Sequence, residues 1–436
     1  MDKNKLFGIL NDWNYWEKPV PEFFPRETYQ DKINNYLSTG EVIVLTGIRR
    51  SGKSTLMINH IQHLISNGID NKEVLFVNFE DPRFNLEMNA ELLEQIFEVY
   101  QEFINHETKP HIFFDEIQHI AQWEKWVLTG YELGRAHFYV TGSSSKLLSR
   151  EFGTALSGRF LSIHVFPLSF KEYLRFKDLP IPDKVSLVTQ KLLYKIAFND
   201  YLKGGGFPKA ISLSDDLKRQ EIIMYYETII LKDIVARHNL KNYDSVKKIG
   251  LYLLSNIGKL FNLNKVRLAL KLSYDLADKY FEYLKDTYLL FEVFQYDHSL
   301  NKQFTNHRKI YCIDNGILSN TAFRISEDYG RYLENLVFIE LLRTGHEVYF
   351  HQGKRECDFI VKEGLTIVQA IQVCRTLQEE ETRKRELEGL MDALDLYGLN
   401  QGLILTDDEE YEITTNHHRV IVQPVWKWLL EKGSQK

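Results

Sequence analysis

Cysteine is scarce in this chain of 436 residues: Cys312, Cys357 and Cys374 are the only three, without CxxC spacing. An odd, scattered set supports neither a disulfide framework nor a zinc cluster, so all three read as core thiols. The 10 prolines and 24 glycines gather into no Gly/Pro/Ser-rich tract, which excludes extended disorder. Nowhere do about 18 apolar residues run together as a membrane span requires, and the opening MDKNKLFGILNDWNYW lacks an apolar core of signal-peptide length. The expectation is a cytoplasmic protein with no membrane partner. A positive excess is also missing, since the net charge of −6 excludes a basic nucleic-acid coat. The distribution is uneven, however. Between Leu231 and Ile310, 14 Lys/Arg stand against 8 Asp/Glu, a basic middle that points toward a polyanion partner.

The chain is too long for one ordinary core. The run EVIVLT from Glu41 is short and rich in β-branched residues, as a strand buried on both faces should be. Apolar residues at helical spacing follow from Ser54 to Ile65. VLFVNF, HIFF and HFYVTG then alternate with helical stretches, which implies a parallel sheet with crossover helices. From Pro180 to Ile230 helices are expected, broken at Gly204 to Pro208. Three helical segments between Asp244 and Leu290, closed by the strand-like FEVF, outline a winged helix-turn-helix. From Lys309 a second mixture of helix and strand begins.

Gly47-Ile48-Arg49-Arg50-Ser51-Gly52-Lys53-Ser54 fits GxxxxGK[ST] after a strand and before a helix. In such a loop the backbone N–H groups around Gly47, Arg50, Ser51, Gly52 and Thr55 close on phosphates. Lys53 supplies a point charge for the β- and γ-phosphates of ATP, and Ser54 a hydroxyl for Mg²⁺. Ile112-Phe113-Phe114-Asp115-Glu116 ends a buried strand in two carboxylates. Asp115 is the candidate for the magnesium shell and Glu116 for orienting or deprotonating the attacking water. Ser143, at the end of the next strand, is either a γ-phosphate sensor or a turn-forming serine. Arg159, after Gly158, is either an arginine finger reaching a neighbour in a homo-oligomer or a structural salt bridge.

TGIRRSGKST, FFDEIQ, VTGSSSKLLS and LSGRF followed by FPLSFKEY, with GGFPKAI and KIYCIDNGIL further on, resemble a bacterial and archaeal ATPase family of AAA type. In that family the ATPase core precedes a winged-helix region and a C-terminal domain similar to PD-(D/E)XK nucleases. The resemblance implies an α/β fold class with these parts: an N-terminal extension (1–20), a parallel-sheet P-loop ATPase domain (21–175), a helical connector (176–235), a winged-helix region (236–305) and a restriction-endonuclease-like α/β domain (306–436). It implies ATP hydrolysis with Mg²⁺, while the winged-helix outline and the basic middle make DNA the expected partner, with an ATP-controlled nuclease and an ATP-switched protein-interaction scaffold as the alternatives. The nuclease comparison carries over to Glu334 and Asp358. The third element reads Gln372-Val373-Cys374 where an acid and a lysine stand in the family, so a degenerate site is expected. Lys384 either replaces the missing lysine or is a solvated charge.

Overall fold

The computed structural model describes residues 2–84, 88–145, 158–322, 329–415 and 417–432. The chain divides into two compact units, Met1–Val165 with Asp286–Tyr288, and Phe166–Lys285 with Leu289–Lys436.

The first unit is built on five parallel strands, β1 (Val42–Thr46), β2 (Val74–Asn78), β3 (His111–Asp115), β4 (His137–Gly142) and β5 (Phe160–His164), in the order β2-β3-β4-β1-β5. Alternation along each strand sends side chains to opposite faces. Val44, Leu75, Ile112 and Phe114 pack with residues of α1 (Lys3–Trp13), α4 (Ala90–Phe103) and α5 (Trp123–Glu132). Ile43, Leu45, Phe76 and Phe113 pack with α2 (Glu27–Leu37) and α3 (Lys53–Ser66). Each fully buried side chain of this kind contributes about 1.5–3 kcal/mol relative to exposure, so both faces of the sheet are firmly covered.

The segment expected as an N-terminal extension, 1–20, is instead part of this core from Lys3 onward. Leu6, Ile9 and Leu10 are buried in it. The reason is the open edge of β2. Phe76 N donates to Asn14 Oδ1 at 2.6 Å, Asn14 Nδ2 donates to Phe76 O at 2.9 Å, and Trp16 Nε1 donates to Val74 O at 2.8 Å. Edge-strand polar groups left bare invite pairing with other chains, and these side chains satisfy them.

The second unit opens with α6 (Phe170–Phe176), α7 (Lys191–Gly204) and α8 (Asp215–Thr228), the last running into a π-helical segment, Ile229–Ala236. Then come α9 (Tyr243–Leu254), β6 (Leu260–Phe261), α10 (Leu263–Leu270), α11 (Tyr274–Asp286), β7 (Leu290–Phe294) and β8 (Arg308–Cys312). These strands form an antiparallel sheet in the order β6-β8-β7. The boundary expected at 305/306 therefore cuts away the middle strand of that sheet. The remainder comprises α12 (Tyr329–Arg343), β9 (Glu347–Gln352), β10 (Glu356–Glu363), β11 (Thr366–Val373), α13 (Glu380–Tyr397), β12 (Gln401–Thr406), β13 (Tyr411–Thr414), β14 (Arg419–Pro424) and α14 (Val425–Lys432). Its six-stranded mixed sheet has the order β13-β14-β12-β11-β10-β9.

The break expected at Gly204 to Pro208 is present, and its partner is another of the quoted motifs. Gly206 N donates to Asp314 Oδ2 at 2.7 Å while Gly316 N donates to Asp314 Oδ1 at 2.8 Å. GGFPKAI and KIYCIDNGIL thus meet through one buried carboxylate, which burial pushes up to about 6. That is a structural role, since a buried acid needs donors of this kind.

Candidate functional site

Residues 47–52 form the loop between β1 and α3. A side chain at Gly47 is impossible, because a Cβ would meet Val165 O at 2.3 Å. Gly52 caps α3 and Arg50 also has positive φ. The Ser51 hydroxyl is buried and has no hydrogen-bond partner among the described residues, a spare donor inside the loop. Thr55 follows half-buried in the first turn of α3.

Lys53 is buried to 3% exposure and folds back onto the loop. Its Nζ donates to Gly47 O at 3.0 Å and Ile48 O at 3.1 Å, and lies 3.8 Å from Glu116 Oε1. Asp115, fully buried at the end of β3, accepts from Thr141 Oγ1 at 2.6 Å, Asn78 Nδ2 at 3.3 Å and the Ser54 hydroxyl. Burial, with Glu116 adding, pushes Asp115 up to about 6. Burial also opposes the charge of Glu116, but Lys53 and Arg49 outweigh it and hold that carboxyl below its usual range. The two neighbouring acids are thereby driven apart in proton affinity, as paired acids with separate tasks are. The Ser54 hydroxyl and the Asp115 carboxylate are adjacent hard oxygens, a donor set that suits Mg²⁺.

Three residues of this cluster escaped the sequence reading. Thr141 uses both capacities of its hydroxyl, donating to Asp115 and accepting from Glu116 N at 2.9 Å. Asn78 adds a second donor to Asp115 from the neighbouring strand. Gln118 Nε2 donates to Glu116 Oε2 and lies 3.5 Å from Ser143 Oγ, so it links Ser143, which is buried, to the acid. Gln118 and Thr141 lie inside FFDEIQ and VTGSSS, where only β-strand adjacency gives them meaning. Arg159 lies apart from the cluster in a surface ion pair with Glu132 at 3.0 Å, both about half exposed. Part of LSGRF and the end of VTGSSSKLLS fall outside the described residues.

In the second unit, Glu334, Asp358 and Gln372 line one cavity of about 720 Å³. Gln372 Oε1 accepts from Asp358 N at 3.1 Å, and its Nε2 donates to Glu386 on α13. Sequence reasoning missed Glu386 and Lys309. Lys309 Nζ reaches Glu334 Oε1 at 3.2 Å, Asp358 Oδ1 at 3.1 Å and Glu356 Oε1 at 2.7 Å. Lys384 is 71% exposed beside Glu388 and does not line the cavity. Burial pushes Glu334 up to about 7, with Lys309 opposing and Asp358 reinforcing.

The sequence family described as an AAA domain matches residues 39–174, and one described as a domain of unknown function matches residues 195–346. An uncharacterized protein of Haemophilus influenzae is 30% identical over 93% of this chain and 98% of its own. Another from Methanocaldococcus jannaschii is 32% identical over 90% and 89%. Among solved structures, the Walker-type ATPase PABY2304 of Pyrococcus abyssi is similar with 16% identity and a TM-score of 0.45, over 69% of this chain and 96% of its own. AMPPCP-bound DnaA of Aquifex aeolicus is similar with 15% identity and a TM-score of 0.27, over 63% and 92%. The first unit is an AAA-type P-loop ATPase domain, with a five-stranded parallel sheet. The chain as a whole belongs to one family with the Haemophilus and Methanocaldococcus proteins.

Proposed function

We propose that this protein binds ATP with Mg²⁺, hydrolyses it, and couples the nucleotide state to DNA engagement by its second unit. The observation that carries the ATPase reading is the convergence of Lys53, Ser54, Asp115 and Glu116 through direct contacts, with Lys53 Nζ 3.8 Å from Glu116. The loop amides at Gly47, Arg50, Ser51, Gly52 and Thr55 hold the phosphates, and Lys53 exchanges its carbonyl partners for phosphate oxygens. Ser54 and Asp115 would hold Mg²⁺, which when bound would supply charge neutralisation beside the phosphates. Glu116 takes the proton of the attacking water, and Ser143, through Gln118, orients Glu116. Arg159, exposed on the surface, is assigned to the γ-phosphate of a neighbouring copy in a homo-oligomer.

For DNA, the support is the order helix, strand, helix, helix, strand, strand from α9 to β8, with β8 central and one short helix, Leu300–Thr305, inserted between the last two strands, an order that resembles a winged helix. Lys265, Lys271 and Lys279 are exposed on α10, its C-terminal cap and α11. Lys285, a further candidate contact, is paired with Glu282 and Glu292 instead. The six-stranded sheet with α12 and α13 is read as a degenerate nuclease-like domain that holds DNA without cutting it. The deciding experiment measures ATP turnover with and without single-stranded and duplex DNA across a salt series. Stimulation that weakens with salt supports the proposal; turnover indifferent to DNA rejects the coupling.

A second reading, an ATP-switched protein-interaction scaffold, is favoured by one observation. Val185, Val188, Leu192 and Ile196 are all more than half exposed, apolar residues spread over the short helix Ser186–Thr189 and the start of α7 that would suit contact with a partner.

A further inference from the structure

The carboxylates of the second unit's cavity already hold a cation. Lys309 comes from β8, its side chain 2% exposed, and its ammonium has three hydrogens. Three carboxylates stand at hydrogen-bond distance to receive them: Glu334 at 3.2 Å, Asp358 at 3.1 Å and Glu356 at 2.7 Å. Two further donors occupy the same acids. Tyr311 OH donates at 2.6 Å to the Glu334 Oε1 that Lys309 also reaches, and Val373 N donates to Asp358 Oδ2 at 3.0 Å. Divalent cations bind carboxylate oxygens at about 2.0–2.6 Å and need several oxygens aimed at one point. Here that point is filled.

We propose that the Lys309 ammonium is the resident cation of this cavity, placed where a divalent ion would bridge Glu334 and Asp358, so that the cavity takes up no divalent metal. The residues therefore do not fit the Mg²⁺ that a nuclease-like fold implies for this position. An ammonium neutralises the carboxylates yet offers no open coordination position for an activated water. Burial works against charge on Lys309, but Glu334, Tyr311, Asp358 and Glu356 together hold it well above the usual lysine range. The lysine stays charged throughout the pH range in which proteins are handled.

The test uses nucleotide-free full-length protein and Mn²⁺ alone, with free Mn²⁺ counted by electron paramagnetic resonance. Wild type and the Glu334→Gln/Asp358→Asn double variant are expected to bind equal numbers of Mn²⁺. An additional Mn²⁺ in wild type that the double variant loses would overturn the proposal, and this comparison decides even where lysine variants fail to fold. In Lys309→Met the cluster loses its cation and gains one Mn²⁺, bound at least about tenfold more tightly than any at this position in wild type, because three clustered carboxylates then lack a counter-charge. The gain vanishes when Glu334→Gln and Asp358→Asn are added to Lys309→Met. A folded Lys309→Met protein that gains no Mn²⁺ also rejects the assignment.

Discussion

Glu116→Gln separates hydrolysis from binding in a way the contacts of Glu116 make quantitative. The wild-type carboxylate lies 3.8 Å from Lys53 Nζ. At an effective dielectric constant near 20, that attraction is on the order of 4 kcal/mol. ATP must compete for the same ammonium, so neutralising Glu116 releases Lys53 and tightens nucleotide binding; part of the gain is cancelled because the neutral side chain was also relieved of its burial cost. About tenfold tighter binding is expected. Fold is retained, since the Gln118 amide still finds a carbonyl oxygen and Glu116 N keeps its bond to Thr141. Hydrolysis falls about 10²–10⁴-fold, the usual worth of a positioned general base, or about 3–5 kcal/mol of barrier. The assays are phosphate release at saturating ATP and titration with a fluorescent ATP analogue. A rate within about threefold of wild type, far less than a general base is worth, refutes the role given to Glu116. Binding that weakens along with the rate refutes the competition for Lys53.

Lys53→Ala is expected to abolish measurable ATP binding, because the loop keeps its amides but loses its side-chain cation; a titration with micromolar affinity contradicts this. Mixing Arg159→Ala with Glu116→Gln protein is expected to restore part of the ATPase rate, since one interface then pairs an intact arginine with an intact base; no recovery in mixtures shown to co-assemble returns Arg159 to its ion pair with Glu132. Burial, then His63 and His111, lowers His60 to about 3, and burial, then His137, lowers His111 to about 4, from 6.5. Protons then bind the unfolded chain first as pH falls. The stability these histidines protect is complete above pH 6.5 and is lost toward pH 4, by about 1.4 kcal/mol per pH unit for each. Urea melts between pH 7 and pH 5 should show a shallower decline in His60→Gln than in wild type, and equal slopes reject the assignment. DNA incubated with the protein and Mg²⁺ or Mn²⁺ is expected to stay uncut; cleavage lost in both Glu334→Ala and Asp358→Ala overturns that expectation.

What the sequence made legible follows from how local each signal is. The phosphate loop and the Asp115–Glu116 pair are contiguous, and the strand and helix beside them have the right periods, so their placement could be read directly. Gln118 and Thr141 sit within a few residues of those motifs. Their roles still needed the β3-β4 adjacency, which spacing along the chain does not encode. The N-terminal helix was misjudged because its docking depends on Asn14 and Trp16 answering an edge strand some 60 residues away. Only the sheet order reveals that edge.

The carboxylate cavity shows the same division more sharply. Glu334 and Asp358, far apart in sequence, line one cavity. The missing charge was sought on the nearest helix, at Lys384, because Gln372-Val373-Cys374 lacked it. In the folded chain the cation comes from Lys309, 25 residues before Glu334 and 49 before Asp358. A buried ammonium among acids leaves no periodic trace in sequence. Glu386 was more accessible to reasoning. It lies on the α13 face of Leu390, Ala393 and Leu394, all buried, so helical phase alone turns it inward, while Lys384 falls on the solvent side. β8 adds a constraint that sequence boundaries hid. The strand pairs with β6 and β7 through its backbone and presents Lys309 and Tyr311 to the acids through its side chains. One strand therefore serves both the antiparallel sheet, through its backbone, and the acid cluster, through Lys309 and Tyr311.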